Sequence, residues 1–351
     1  MARMASVTEA ELRRFIVAVL LRREMAEALA AQIADALVWA NLRGVDSHGV
    51  ARLPAYVGMI DKGVTNVAPA LTVSKDLPAG FVVAADRAPG PVAINYALGL
   101  LVGRARQQGV AAALVAQMTH SGALGYYAAK AADAGLACLA INASIPLMPY
   151  HGALGAAVGT NPLSMAVPGG EGGDPLVLDM AASVVSLGKL LQARRTGAPL
   201  EPGWFVDDAG LPTTDLAKAS MTVPLGGAKG AGLSLMIECF ASLLAANPIV
   251  ADALQGTGGD GRHRQNALLI AFNIAAFVDL AAFRGEVARL AQSLKALPPA
   301  PGGSGTLMPG ERGFAMTAKR RADGIPLPQP VLAELTELAR RLHVAPLQAA
   351  G

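Results

Sequence analysis

The sequence predicts a mixed fold, α/β or α+β, and three observations carry that expectation. Between residues 80 and 143, apolar strand-like runs alternate with helix-like runs. Both ends of the chain carry helical patterning instead. The composition is that of a packed globule, 53% hydrophobic and 16% charged over 351 residues, long enough for more than one core.

The elements follow in order. Residues 8–43 read as helices, because Thr8 and Glu11 have capping-box spacing and Leu29, Ile33 and Leu37 recur every fourth position. Gly44 stops the second of them. GFVVAAD, from residue 80, reads as a strand, and VAINYALGLLVGRARQQG as a helix ended by Gly109. VAAALVAQMTH is a strand, SGALGYYAAKAADAG a helix ended by Gly135, and LACLAINAS a strand. PLVLDMA (175–181) and QNALLIAFNIAAF (265–277) are further strands. Residues 195–218 and 254–265, rich in Gly, Pro, Asp and Thr, read as loops. PLPQPVLAELTELARRLH is a closing amphipathic helix, and LQAAG a frayed tail.

Charge and cysteine usage narrow the function classes. Lys and Arg outnumber Asp and Glu by 29 to 26, too small and scattered an excess for nucleic acid. It suits anionic small molecules. Cys138 and Cys239 form no CxxC pair or metal-ligand spacing, and no HExxH is present, so a reducing, cytoplasmic setting without a metal is expected. The opening residues lack an apolar core of signal-peptide length. The most membrane-like stretch, residues 230–250, is interrupted by Glu238.

The chemistry-bearing residues gather in a few short segments. RGVDSHGVARLP (43–54) holds His48 in a polar turn after a helix, with Asp46 or Ser47 available to fix its tautomer. Arg52, four residues on, suits a carboxylate clamp. His120 ends a strand and opens a glycine-containing turn, where Ser121 is at least an N-cap. GTNPL (159–163) is a polar turn, LDMAAS (178–183) a strand end with small residues, and PLGGAKGAGL (224–233) sets Lys229 among glycines before a helix. The last is the strongest signal for phosphate. GTGGDG (256–261) matches GxGxxG but lacks the strand before and helix after that a Rossmann fingerprint needs. His151, His263 and His343 read as structural or solvated.

Taken together, RGVDSHGVARLPAYV, THSGALGYYAAKAADAG, GTNPLSMAVP, LDMAAS, WFVDDAGLPTTD, PLGGAKGAGL and MPGER resemble the type-2 malate/L-lactate dehydrogenase family. That family includes ureidoglycolate and sulfolactate dehydrogenases and the piperideine-2-carboxylate/pyrroline-2-carboxylate reductases. The resemblance implies a non-Rossmann α+β subunit, dimeric, that uses NAD or NADP. A helical domain from both chain ends (1–75 with 310–351), a small α/β segment (76–120) and a nucleotide-binding domain (121–309) are expected. It implies catalysis by His48, His120 and Ser47, and substrate contact by Arg52, Ser144 and Thr160. Cofactor contacts are implied for Ser121, Gly122, Ala123, Asp179, Met180, Ala181, Lys229, Gly230, Pro309, Gly310, Glu311 and Arg312. The implied reaction is hydride transfer between nicotinamide and a small 2-oxo or 2-hydroxy acid, with cyclic imine reduction as the alternative. Where imine-reducing relatives carry an acidic residue, this chain has Lys189 after Gly188, which disfavours a Ser–His–Asp relay.

Overall fold

The computed structural model describes residues 5–257 and 264–348. Its architecture is α+β, a mixed sheet beside a helical unit assembled from both ends of the chain.

The helical unit begins with β1 (Ala5–Val7), α1 (Glu9–Leu21), α2 (Glu27–Leu42) and α3 (Leu53–Asp61). Thr8 caps α1 by accepting the Glu11 N–H at 3.1 Å. The other half of the expected capping box does not form. The Glu11 carboxylate instead accepts from Arg14 at 2.7 Å and from the Gln348 N–H at 2.9 Å. That bond docks the end of the chain on α1, so Gln348 is not frayed; Ala349–Gly351 lie outside the described residues. Ile33 and Leu37 face the core as their spacing predicts, packed with Leu12, Phe15, Ile16 and Leu20. Burying each such side chain contributes roughly 1.5–3 kcal/mol.

The sheet takes its strands from both sides of residue 120. They are β2 (Thr72–Leu77), β3 (Gly80–Ala84), β4 (Val110–Met118), β5 (Leu136–Ala143), β6 (Leu163–Val167), β7 (Leu176–Met180) and, later in the chain, Gln265–Asn273. Between them run α4 (Gly90–Gln108) and α5 (Gly125–Asp133), ended by Gly109 and followed by Gly135, both at positive φ. The expected boundary at 120/121 is therefore not a break in the sheet. Val110–Met118 and Gln265–Asn273 pair antiparallel along most of their length, because both are apolar runs buried on two faces.

The stretch expected to be loop from 195 is more ordered than its composition suggests. α6 (Leu187–Thr196) runs into it, and β8 (Phe205–Val206), β9 (Pro212–Thr213) and β10 (Met221–Thr222) form a small sheet. Leu190, Ala193, Leu200, Phe205 and Ala219 make a satellite core there. Turn residues outnumber those few apolar anchors in sequence, which hides them.

α7 (Ala228–Glu238) continues as a π-turn over Cys239–Leu243, and α8 (Val250–Gln255) precedes Gly256 at φ +68°. Residues 258–263, which include most of GTGGDG and His263, lie outside the described residues. Glu238 is buried and accepts from Ser242 Oγ and the Ile249 and Val250 amides, so 230–250 is most of α7, its π-turn and a bend that Glu238 ties to the start of α8. Among the described residues no helix is long and apolar enough to cross a membrane.

β11 (Gln265–Asn273) sits centrally in the order β2-β3-β4-β11-β5-β6-β7, all antiparallel except β3–β4. It ends sooner than expected, since Ile274–Ala276 is a 3₁₀ turn. α9 (Leu280–Lys295) and α10 (Glu311–Asp323) follow. β12 (Ile325–Leu327) then pairs with β1, Ala5 opposite Leu327, and α11 (Gln329–Leu342) packs Leu335 and Leu338 into the core of α1 and α2.

Candidate active site

The turn after α2 is held by residues that face away from its histidine. Gly44, at φ +76°, turns the chain out of the helix, and two 3₁₀ turns follow, Asp46–His48 and Val50–Arg52. Asn41 is buried, and its side chain accepts from the Val50 N–H at 2.7 Å and donates to Asp46 at 2.7 Å. Asp46 also accepts two bonds from Arg320 of α10, at 2.6 and 2.9 Å. Asp46 thus anchors the turn to the far end of the chain and does not orient the imidazole. Ser47 does so, with its Oγ 3.0 Å from His48 Nδ1.

His120 arrives from the end of β4. Its ring stacks on that of His48, with centroids 5.8 Å apart at 28°. The Gly122 N–H donates to His120 Nδ1 at 3.1 Å, which leaves that nitrogen unprotonated and places the ring proton on Nε2. The hydroxyl of Tyr56 lies 2.8 Å from the same Nδ1. Tyr56 was not singled out in the sequence. Its buried position beside Leu53 and Val57 on α3 reads as plain core; the available signal was a tyrosine one helical turn after Arg52.

The Arg52 guanidinium donates through Nε to the Ser47 carbonyl at 2.7 Å, and among the described residues no carboxylate pairs with it. Its charge reaches both rings. Desolvation first, and then Arg52, push His48 down to about 3. His120 is held well below the ordinary imidazole value by the same causes and by His48. Burial raises the Tyr56 phenol. At neutral pH the site therefore presents two neutral imidazoles, a neutral phenol and one uncompensated cation.

Arg52 and Ser47 also line a cavity beneath α6, which neither imidazole lines. Lys189 is exposed and outside it, so the position after Gly188 supplies no acid for a relay.

Beside these groups, the segments with small residues converge on the end of β7. Asp179 accepts the Gly125 N–H at 2.9 Å, joining it to the Ser121–Ala123 turn. The Ala182 N–H donates to the Thr160 carbonyl at 2.8 Å, and the Leu225 N–H to the Ala182 carbonyl at 2.9 Å. Met180 and Ala181 lie between those contacts. A Cβ on Gly230 would stand 2.6 Å from the Leu225 carbonyl oxygen, so the turn before α7 closes only around glycine. Lys229 beside it is exposed. Pro309 accepts the Val177 N–H at 3.0 Å, which sets Pro309–Arg312 alongside the same strand. Glu311 is occupied there by Lys295 and by the Met308 N–H at 2.9 Å, so it fixes the start of α10.

Ser144 is buried, and its amide donates to Asn161 Oδ1 at 3.0 Å; Asn161 Nδ2 donates in turn to the Ser234 carbonyl at 2.9 Å. Gln265 ties this strand end to the histidine turn, accepting from Ser121 N at 3.0 Å and Asn142 Nδ2 at 3.1 Å. It too went unnoticed in the sequence, having no neighbouring motif.

Gly90 makes the histidine turn possible. A Cβ there would lie 2.6 Å from the His120 carbonyl oxygen and 2.8 Å from the Ser121 amide nitrogen. Both are backbone atoms that cannot swing aside. Gly90→Ala is expected to cost about 1–3 kcal/mol and to lower turnover by displacing His120. A melting curve and initial rates check this, and wild-type values for both would refute it.

The family model described as malate/L-lactate dehydrogenase matches residues 7–336. The chain belongs to the malate/L-lactate dehydrogenase family. It is 33% identical to a malate dehydrogenase of Pyrococcus abyssi over 96% of this chain and 95% of that protein. It is 34% identical to an Escherichia coli K12 ureidoglycolate dehydrogenase (NAD(+)) over 84% and 85%. The solved malate dehydrogenase of Pyrococcus horikoshii superposes with a TM-score of 0.89 at 30% identity, covering 99% of both chains. Membership makes the chain an oxidoreductase, in a dehydrogenase family of the kind that generally uses nicotinamide cofactors.

Proposed function

We propose that this malate/L-lactate dehydrogenase family member transfers a hydride between NAD(P) and the α-carbon of a small 2-hydroxy or 2-oxo acid. The observation that carries the reading is the set of two stacked neutral imidazoles beside an arginine that has no carboxylate partner among the described residues. A half-buried guanidinium without an ion partner is completed favourably by a ligand anion, and a substrate carboxylate supplies that anion in bidentate form.

The convergent segments suit a dinucleotide. Gly230 lets the turn before α7 close, Lys229 offers a cation, and the first amides of α7 lie at a helix N-terminus, where a phosphate would be welcome. Ser121–Ala123, Asp179–Ala181, Lys229 and Gly230 would hold the cofactor, with Pro309, Gly310 and Arg312 along its edge. When bound, nicotinamide accepts or supplies the hydride at its C4.

The chain's own groups do the remaining work. Arg52 holds the carboxylate, while Ser144 and Thr160 bound the reacting end. If His48 Nδ1–H donates to Ser47, its Nε2 lone pair is free to take the hydroxyl proton as the alcohol is oxidised. His120, with its proton fixed on Nε2, donates a hydrogen bond to the same oxygen. In the reductive direction His48 returns the proton. The test is oxidation of NADH and NADPH with a panel of 2-oxo acids and cyclic imino acids; absence of turnover on every 2-oxo acid defeats the reading. Lys229→Ala should weaken NAD(P)H binding about tenfold, on the scale of one lost charge contact, and an unchanged fluorescence titration would remove it from the cofactor set.

The subunit is proposed to work as a homodimer in the cytoplasm. Leu235, Met236, Phe240, Leu243 and Leu244 are large, apolar and exposed along α7 and its π-turn, a patch that monomers seldom leave open. Light scattering at the mass of one 35.7-kDa chain would contradict this.

A further inference from the structure

β4 changes step once before the chain reaches His120. Ala111, Ala113 and Val115 face one core, and the next residue of β4 in that core is Met118, an interval of three where alternation gives two. The pairing with β11 shows the cause. Val115 stands opposite Ala267 and Met118 opposite Gln265, so Ala116 and Gln117 together oppose Asn266. This is a β-bulge, and Gln117 sits in it at φ +61°. One extra residue moves every later side chain to the other face of the sheet.

Asn266 holds the bulge. Its Oδ1 accepts the Gln117 N–H at 3.0 Å, a donor that the strand ladder no longer reaches. The same oxygen accepts from Asn247 Nδ2 at 2.8 Å, and Asn266 Nδ2 donates to Ser242 Oγ and to the Asn247 carbonyl, both at 2.9 Å. Asn266 is buried, with both lone pairs and both N–H groups of its amide engaged, so it has one orientation. Ser242 is itself fixed, donating to Glu238 at 2.7 Å. The adjacent residue secures the far side of the histidine, where Gln265 Oε1 accepts the Ser121 N–H at 3.0 Å. Asn266 and its neighbour thus grip the chain three residues before His120 and one residue after it.

We propose that Asn266 is a positioning residue for His120, holding the bulge at Gln117 that sends the imidazole to the face where His48 and Tyr56 meet it. His120 has no second way to those partners. Its Nδ1 lies 2.8 Å from the Tyr56 hydroxyl and its ring 5.8 Å from that of His48, contacts that a regular strand would not deliver. Loss of the Asn266 amide strands the Gln117 N–H and lets the bulge relax. The kinetic consequence rests on the proposed role of His120 in the reaction; the placement of the ring does not.

The experiment therefore reads both. Histidine labelled with ¹⁵N is followed by NMR over pH, the His120 signal being the one missing from His120→Gln, and kcat is measured on the best 2-oxo acid. In the wild type, burial, Arg52 and His48 hold the ring well below the ordinary imidazole value, so its signal should not titrate near 6.5. In Asn266→Ala it should titrate near about 6.5, and kcat should fall about 10²-fold, the scale of a reacting group misplaced by about 1 Å. Gln117 supplies a second pair of variants, because its side chain is exposed. Gln117→Val opposes positive φ and should behave as Asn266→Ala, whereas Gln117→Gly accepts it and should match the wild type. Both lose the same side chain, so only the backbone preference separates them. A folded Asn266→Ala in which His120 still refuses protons near 6.5 overturns the proposal, as do Val and Gly variants that behave alike. Should Asn266→Ala fail to fold, the Gln117 pair decides. Turnover of no 2-oxo acid removes the proposed function, and the titration of His120 then decides the role of Asn266 by itself.

Discussion

His48→Ala should lower kcat for 2-hydroxy acid oxidation by about 10²- to 10⁴-fold, the range that general acid–base groups supply, with little change in NAD(P)H affinity. The companion variants separate the two histidines. Gln at 120 keeps an N–H donor, so His120→Gln should recover much of what His120→Ala loses. Gln at 48 cannot take up a proton, so His48→Gln should be as slow as His48→Ala. The opposite pattern would exchange the roles. The acid limb gives a second readout, because kcat/KM reports groups of the free enzyme. With His48 pushed down to about 3, the profile should lack an inflection near 6.5. Stability follows from the same shift. Below 6.5 the unfolded chain binds protons that the folded site refuses, so stability is fully present above that pH and is lost as pH falls from it toward 3. Replacing both imidazoles with Gln should flatten that loss in denaturant titrations; an unchanged slope would mean that other groups set it.

Local pattern carried much of the fold and some of the site. Gly44, Gly109 and Gly135 mark helix ends in sequence and stand there at positive φ, because a residue that must turn left-handed is visible without its neighbours. The strand runs at 80, 110, 136 and 265 are also legible, since a central strand is apolar on both faces. Register is not legible. Nothing local says that β11 inserts between β4 and β5, and that insertion brings Gln265 under the His120 turn. Asp46 shows the same limit from the other side. Its neighbour in sequence is Ser47–His48, but its partner in space is Arg320, on α10. Tyr56 was hidden because an aromatic residue on an apolar helix face looks like core until its hydroxyl is seen against His120. Motifs show residues whose neighbours in sequence do the work; partners that meet through the fold leave no local mark.

Arg52 is where the electrostatics of the site can be measured directly. Arg52→Met should reduce kcat/KM for a 2-hydroxy acid by about 10²- to 10³-fold, on the scale of a charge-paired hydrogen bond lost at a buried site, mostly in KM. Arg52→Lys should recover little, because an ammonium offers neither the Nε bond to the Ser47 carbonyl nor a two-pronged edge for the carboxylate. The guanidinium also helps to hold both imidazoles below their ordinary value. A carboxylate docking on Arg52 cancels that charge, so both imidazoles must rise and the complex must bind protons that the free enzyme does not. Titrating the enzyme and its NADH complex with oxamate, an unreactive 2-oxo acid analogue, in buffers of different ionisation enthalpy should show proton uptake in the acid range, as His48 rises from its starting value of about 3. Arg52→Met should bind oxamate weakly and without that uptake. Proton release in the wild type, or uptake of equal size in the variant, would mean that the anion settles away from Arg52, and the assignment of substrate carboxylate to that guanidinium would fall.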